Sequence, residues 1–240
     1  MIVRLARFTF GFVSAFQLLA CGGRPSNNDF EGRSASLRGE INHEVVDSLI
    51  DKGPISELRV SSIGGNGEAA LHLANAMLEN GTTLTIDGVC SSSCAEFLLP
   101  AAARVVARGK PLLAVHGNPL LLQALYERNH HHEDPTCFRD SFGLREIYRV
   151  RGLSTELALA QEQKLVLSRF ETSFAEPCVL FRWSFRHSNW FPTSEQYARM
   201  MGIVFEGELC ADDIRCIESR IRYDEGPNTC VVGEQVLHCR

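Results

Sequence analysis

Residues 87–99 read DGVCSSSCAEFLL: three serines enclosed by Cys90 and Cys94, at the point where an apolar run begins. The segment before it, TTLTID, has the β-branched character of a strand, and AEFLLPAAARVV after it reads as a helix. The serines therefore mark a strand-to-helix junction, where serine is favoured as a cap on stability grounds alone. A nucleophile placed at a helix start is the competing reading, and the surrounding pattern decides how far to take it.

Working outward, strand and helix signals alternate. SLRGEI is a short strand, and EVVDSLIDKG a short helix closing on Gly53. ELRVSSI is a strand running into Gly64-Gly65. GEAALHLANAMLENG sets Ala70, Leu73, Ala74 and Met77 along one helical face and ends at Gly81, with His72 expected on the rim or surface. LLAVH is a further strand, ending on His116. This order predicts an α/β domain of repeated β-α units around a largely parallel sheet. Two loops at strand ends then fall on one edge, Ser62-Ile63-Gly64-Gly65 after one strand and Cys90 to Cys94 after the next. The glycine pair can turn backbone N–H groups toward a ligand, and a helix beginning near Ser93 adds its own N-terminal N–H groups. Such a cradle suits a developing oxyanion, with Ser93 Oγ at its lip and His116 on the same edge.

The remainder of the chain sets the context. It has 240 residues, 45% hydrophobic and 22% charged, enough for one sizeable core. The net charge of −5 and the lack of a recurring basic stripe argue against nucleic-acid binding. Arg4 and Arg7 precede an apolar stretch over residues 8–20, short for a membrane span and suited to a secretory signal. It ends in Leu18-Leu19-Ala20-Cys21, which resembles the bacterial lipobox and implies lipidation of Cys21. Residues 1–20 are thus expected to be a lipoprotein signal peptide and residues 21–36 a flexible tether. The resemblance to lipoproteins implies a periplasm-facing, lipid-anchored protein, with the outer membrane favoured because Gly22 follows the cysteine.

Cysteine usage agrees with export. Leaving Cys21 aside, Cys90, Cys94, Cys137, Cys178, Cys210, Cys216, Cys230 and Cys239 form an even set of disulfide candidates whose pairing the sequence leaves open. A Cys90–Cys94 bridge would stiffen the serine turn. A redox pair is the rival there, although the usual redox spacing is C-x2-C. The last four cysteines suggest a small disulfide-held appendage over residues 206–240, with the main domain at 37–205. Zinc is the alternative for that tail, but the spacings are not those of common zinc knuckles, and no metal or cofactor is expected. His130-His131-His132 reads as a polar loop, residues 156–170 as a packing helix, and Phe181, Trp183, Phe185, Trp190 and Phe191 as core or subunit contact rather than a substrate groove.

Taken in order, Gly39-Glu40-Ile41, Ser62-x-Gly64-Gly65, Ser93 placed four residues before Phe97-Leu98-Leu99, and His116 resemble the ClpP/crotonase superfamily. The match is to exported bacterial relatives of the Clp protease proteolytic subunit, over about residues 37–118. The resemblance implies Ser93 as nucleophile and His116 as general base, with Gly65 and Cys94 N–H groups forming the oxyanion hole and Gly64 shaping the turn. It also implies a peptide or protein substrate and assembly into homo-oligomers. WFPTSEQYARMMGIV resembles the family's later helix leading into a hydrophobic strand. The departures are specific. The family's third catalytic acid has no counterpart, with Glu162 and Glu171 lacking the motif around them. Pro100 should bend or end the serine helix, and the family does not need Cys90 and Cys94. Crotonase-type acyl-CoA chemistry is disfavoured because an exported domain lacks a CoA supply. Two functions follow: a membrane-tethered periplasmic serine hydrolase, or a catalytically inactive envelope lipoprotein that keeps the crease as a binding or structural module.

Overall fold

The strands of the computed structural model follow where inward-facing apolar residues recur at every second position. In β2 (Ile55–Gly65), Ile55, Leu58, Val60 and Ser62 are buried while Ser56, Arg59 and Ile63 face out. The structure describes residues 32–115, 139–153, 188–220, 229–232 and 235–238, all within one compact unit, Glu31–Arg240. The elements run β1 (Arg33–Ile41), α1 (His43–Ile50), β2, α2 (Gly67–Asn80), β3 (Thr83–Ser91), a π-helical turn (Cys94–Leu98) continuing into α3 (Leu99–Ala101), β4 (Arg104–Ala107) and β5 (Leu112–Ala114). They continue with α4 (Arg139–Arg151), β6 (Ser188–Phe191), α5 (Ser194–Met201), β7 (Phe205–Glu206), α6 (Ile214–Arg220), β8 (Thr229–Val232) and β9 (Gln235–His238).

The main sheet has the order β1-β2-β3-β4-β7, every neighbour pair parallel. The first half of β3 pairs with β4 and its second half, from Val89 to Ser91, with β5. A separate three-stranded sheet has the order β6-β8-β9, with β8 and β9 antiparallel. The expected mixed α/β domain with a largely parallel sheet is therefore present.

Local chemistry explains where the helices start and stop. Asn42 caps α1 by accepting the Val45 N–H at 3.0 Å, and Asn66 caps α2 by accepting the Ala69 N–H at 2.8 Å. Gly81, left-handed at φ 60, ends α2 as expected. The predicted face of α2 is the buried one: Ala70, Leu73, Ala74 and Met77 are fully enclosed. Burying Leu73 and Met77 is worth about 1.5–3 kcal/mol each. α4 lies across α2 where Gly143 meets Leu71, and a Cβ on that glycine would stand 2.3 Å from Leu71 Cδ2.

Three sequence expectations need correction. The long helix read over AEFLLPAAARVV stops at Ala101, and Val105 and Val106 lie in β4 instead. Pro100 has no N–H to continue the ladder, and the β-branched pair fits a strand that the parallel register with Leu84 and Thr85 can accept. The glycine pair is not a loop after β2 but its last two residues, opposite Glu40 and Ile41 of β1. Cys90 and Ser91 likewise close β3 rather than follow it. Glycine is required in this ladder because a Cβ at Gly65 would stand 2.2 Å from the Ile41 carbonyl oxygen.

The anticipated α5 helix carries a full capping box: Thr193 Oγ1 accepts the Gln196 N–H and Gln196 Oε1 accepts the Thr193 N–H. It leads to β7, as its sequence suggested. In the tail, Cys210 and Cys216 are disulfide-bonded, and the Cys210 N–H donates to Pro111 O at 2.9 Å, fixing this segment beside β5. Phe191 is buried with Ala114, Cys210 and Ile217, which makes it a packing residue.

Candidate functional site

The site begins with a register change between β2 and β3. Val60 pairs with Ile86, but the next pair is Ser62 with Cys90, so β3 carries extra residues around Gly88. Gly88 has φ 129, a conformation that side chains rarely adopt, so the excursion depends on that glycine. Its effect is to advance the serine turn until it lies against the diglycine end of β2.

The two expected motifs meet closely. Ser91 Oγ donates to the Ile63 carbonyl at 3.3 Å, and Ser93 Oγ donates to the Gly65 carbonyl at 2.7 Å. Gly64, at φ 94, is packed against Ser92: a Cβ there would be 2.5 Å from Ser92 Cβ and 2.7 Å from the Ser91 carbonyl oxygen. Ser62 fixes the bend from behind, its buried hydroxyl donating to Gly39 O at 2.5 Å and accepting the Gly64 N–H at 3.0 Å. Behind the turn, the Tyr197 hydroxyl donates to Ala95 O at 3.3 Å, which ties α5 to the serine helix.

The chain reverses at Ser92, whose φ is 57, and Ser93 already has right-handed helical angles. Cys90 and Cys94 are joined by a disulfide with Cα atoms 5.3 Å apart, clamping the strand end to the helix start. Both half-cystines are fully buried, so the bond is a structural staple in this state. Cys94 opens the helix, where backbone N–H groups lack intrahelical acceptors. The diglycine presents a carbonyl oxygen, that of Gly65, to the Ser93 hydroxyl.

Of the predicted site residues, Ser93, Gly64, Gly65 and Cys94 are brought together here. His116, Cys21, Cys137, Cys178, Cys239, His130 to His132, Glu162, Glu171, residues 156–170 and the aromatic residues Phe181, Trp183 and Phe185 lie outside the described residues. Cys230 lies in β8, opposite Leu237 of β9. His72 is at the surface, with Nδ1 3.6 Å from Asp47 Oδ1. Among the described residues, no cluster of three metal-ligating side chains is present, and no helix is long and apolar enough to cross a membrane.

Glu96 escaped sequence reasoning, and Ser62 was read only as part of its motif, without its buried bridging role. Glu96 is a carboxylate buried in the serine helix, only 4% exposed, and its signal was a charge set inside the unbroken apolar run CAEFLL. Ser62 is wholly buried, and its signal was a polar residue on the inward parity set by Leu58 and Val60. No known protein-family model matches the chain, and no curated protein matches it. Among solved structures, an asparagine-to-aspartate mutant of ClpP1 from Listeria monocytogenes is similar at 14% identity, covering 73% of this chain and 91% of that one with a TM-score of 0.37.

Proposed function

We propose that this chain is a ClpP-like serine hydrolase of the bacterial envelope, tethered through Cys21 and facing the periplasm, that cleaves peptide or ester bonds at the serine turn. One observation carries the reading. A left-handed residue at the C-terminal end of β3 delivers consecutive serines to a helix start, hard against a diglycine bend. That arrangement puts serine hydroxyls and the N–H groups of a helix start beside the diglycine backbone. The motif order in the sequence supports a ClpP/crotonase-like domain over residues 37–205. By that resemblance Ser93 stands in the nucleophile's place, His116 is the general base, and homo-oligomeric assembly follows. The Cys90–Cys94 and Cys210–Cys216 disulfides support an exported, oxidising location.

A second reading is favoured by one bond. The Ser93 proton is donated to the Gly65 carbonyl, and a crease locked in this way suits an inactive binding or structural module. A fluorophosphonate probe separates the two. The hydrolase reading expects covalent labelling of the purified protein, abolished by His116→Ala with the circular dichroism spectrum unchanged. Absence of labelling from mildly acidic to mildly alkaline pH leaves the module.

A further inference from the structure

The three serines of the turn are chemically unequal. Ser91 and Ser93 both donate their hydroxyl protons to backbone carbonyls, those of Ile63 and Gly65. A serine hydroxyl has a single proton to give, so at Ser93 it is already committed. The same Gly65 oxygen places negative partial charge beside Ser93 Oγ, where an oxyanion would need donors. Ser92 differs in having its hydroxyl proton uncommitted. It is only 5% exposed, yet its Oγ has no hydrogen-bond partner among the described residues.

Ser92 also holds the strained backbone. A non-glycine residue in the left-handed region costs about 1–2 kcal/mol, and among the described residues only Ser92 and Lys110 adopt it. Lys110 lies in the short connection between β4 and β5, where such turns are ordinary. At Ser92 the conformation is held from four sides. Its N–H donates to Ala114 O at 3.2 Å, its carbonyl accepts the Glu96 N–H at 2.9 Å, the Cys90–Cys94 disulfide clamps the flanks, and Gly64 presses on its side chain. Strain kept in place by this many contacts, on a residue whose hydroxyl has no hydrogen-bond partner among the described residues, marks a functional position rather than a cap.

We propose that Ser92, not Ser93, carries the reactive hydroxyl; this rests on the hydrolase reading given above. Ser93 is then a positioning residue that fastens the diglycine bend to the turn. In the reaction, Ser92 Oγ bonds to the acyl carbon while the C–O or C–N bond of the ester or amide breaks. The hydroxyl proton passes to a general base and from it to the departing alcohol or amine. Water then attacks the acyl-enzyme, releases the acid and restores the Ser92 hydroxyl.

The test reacts the purified protein with a fluorophosphonate and locates the phosphonylated residue by tandem mass spectrometry. The adduct is expected on Ser92. Labelling should fall by at least about 100-fold in Ser92→Ala and in Ser92→Gly, which removes the hydroxyl while relieving the strain, and by less than about 10-fold in Ser93→Ala. An adduct on Ser93 or any other residue overturns the assignment and leaves the hydrolase reading standing. No adduct on the unmodified chain overturns both.

Discussion

The Ser62 hydroxyl accepts the Gly64 N–H at 3.0 Å while donating to Gly39 O at 2.5 Å, so one buried side chain fastens the diglycine bend to β1. Ser62→Ala would leave the Gly39 carbonyl and Gly64 N–H without this partner. Stability should fall by about 2 kcal/mol, read from the midpoint of urea unfolding at constant slope. An unchanged midpoint would mean that water replaces both bonds and that the bend does not depend on Ser62.

Gly64→Ala meets a different obstacle. The new Cβ would lie 2.7 Å from the Ser91 carbonyl oxygen, a backbone atom that cannot swing away, at a φ of 94 that side chains rarely adopt. A loss of about 2–4 kcal/mol is expected, together with loss of probe labelling. Thermal unfolding followed by circular dichroism measures the first effect. Wild-type stability in this variant would show that the bend and the serine turn do not touch.

The Cys90–Cys94 bridge closes a very short loop, so its removal costs little globally. Cys90→Ala combined with Cys94→Ala should lower stability by about 2 kcal/mol on the chain-entropy model. The local effect should be larger, because the bridge is one of the constraints on the left-handed Ser92. Probe labelling is therefore expected to drop out of proportion to stability. A double variant that labels as well as the wild type would remove the bridge from the site's architecture.

A pH prediction comes from Lys110, whose Nζ lies 3.2 Å from Asp213 Oδ2 and 3.4 Å from Glu208 Oε2. The Lys110 hydrogen bond, then the Arg215 N–H, hold the Asp213 carboxyl below the usual carboxylate range. Its stabilising contribution is present above the unfolded-state pKa and is lost as pH falls through the lowered folded value. Hydrogen bonds to Asp213 and then Glu208 raise the Lys110 pKa, so that contribution is complete below the unfolded lysine value and is lost as pH climbs through the folded one. Lys110→Met should therefore flatten both limbs of the stability-against-pH curve, by a small amount because the groups are exposed to solvent. Limbs identical to the wild type would show that the pair is fully screened.

The expected strands and helices were legible wherever burial follows a strict period. Leu58 and Val60 alternate, and Ala70, Leu73, Ala74 and Met77 recur at helical spacing, so β2 and α2 emerged correctly. The boundary at Ala101 was not legible, since Ala101, Ala102 and Ala103 suit a helix locally and only pairing of Val105 with Leu84 and Phe205 recruits the next residues into the sheet. The site was half legible. The glycine pair and the serine turn stood out as motifs, and their meeting followed from parallel strands. Which serine keeps a free hydroxyl could not be read, because all three have the same local sequence preference.

Sequence by itself determined the alternation of strand and helix, the buried face of α2 and its end at Gly81. Those features depend on backbone conformation and side-chain period, which are local properties. Tertiary structure alone decided that β3 slips relative to β2 around Gly88, that Ser93 bonds to Gly65, and that Ser92 takes the left-handed turn. These depend on contacts between segments distant in the chain, whose energies exceed the local preferences of the serines.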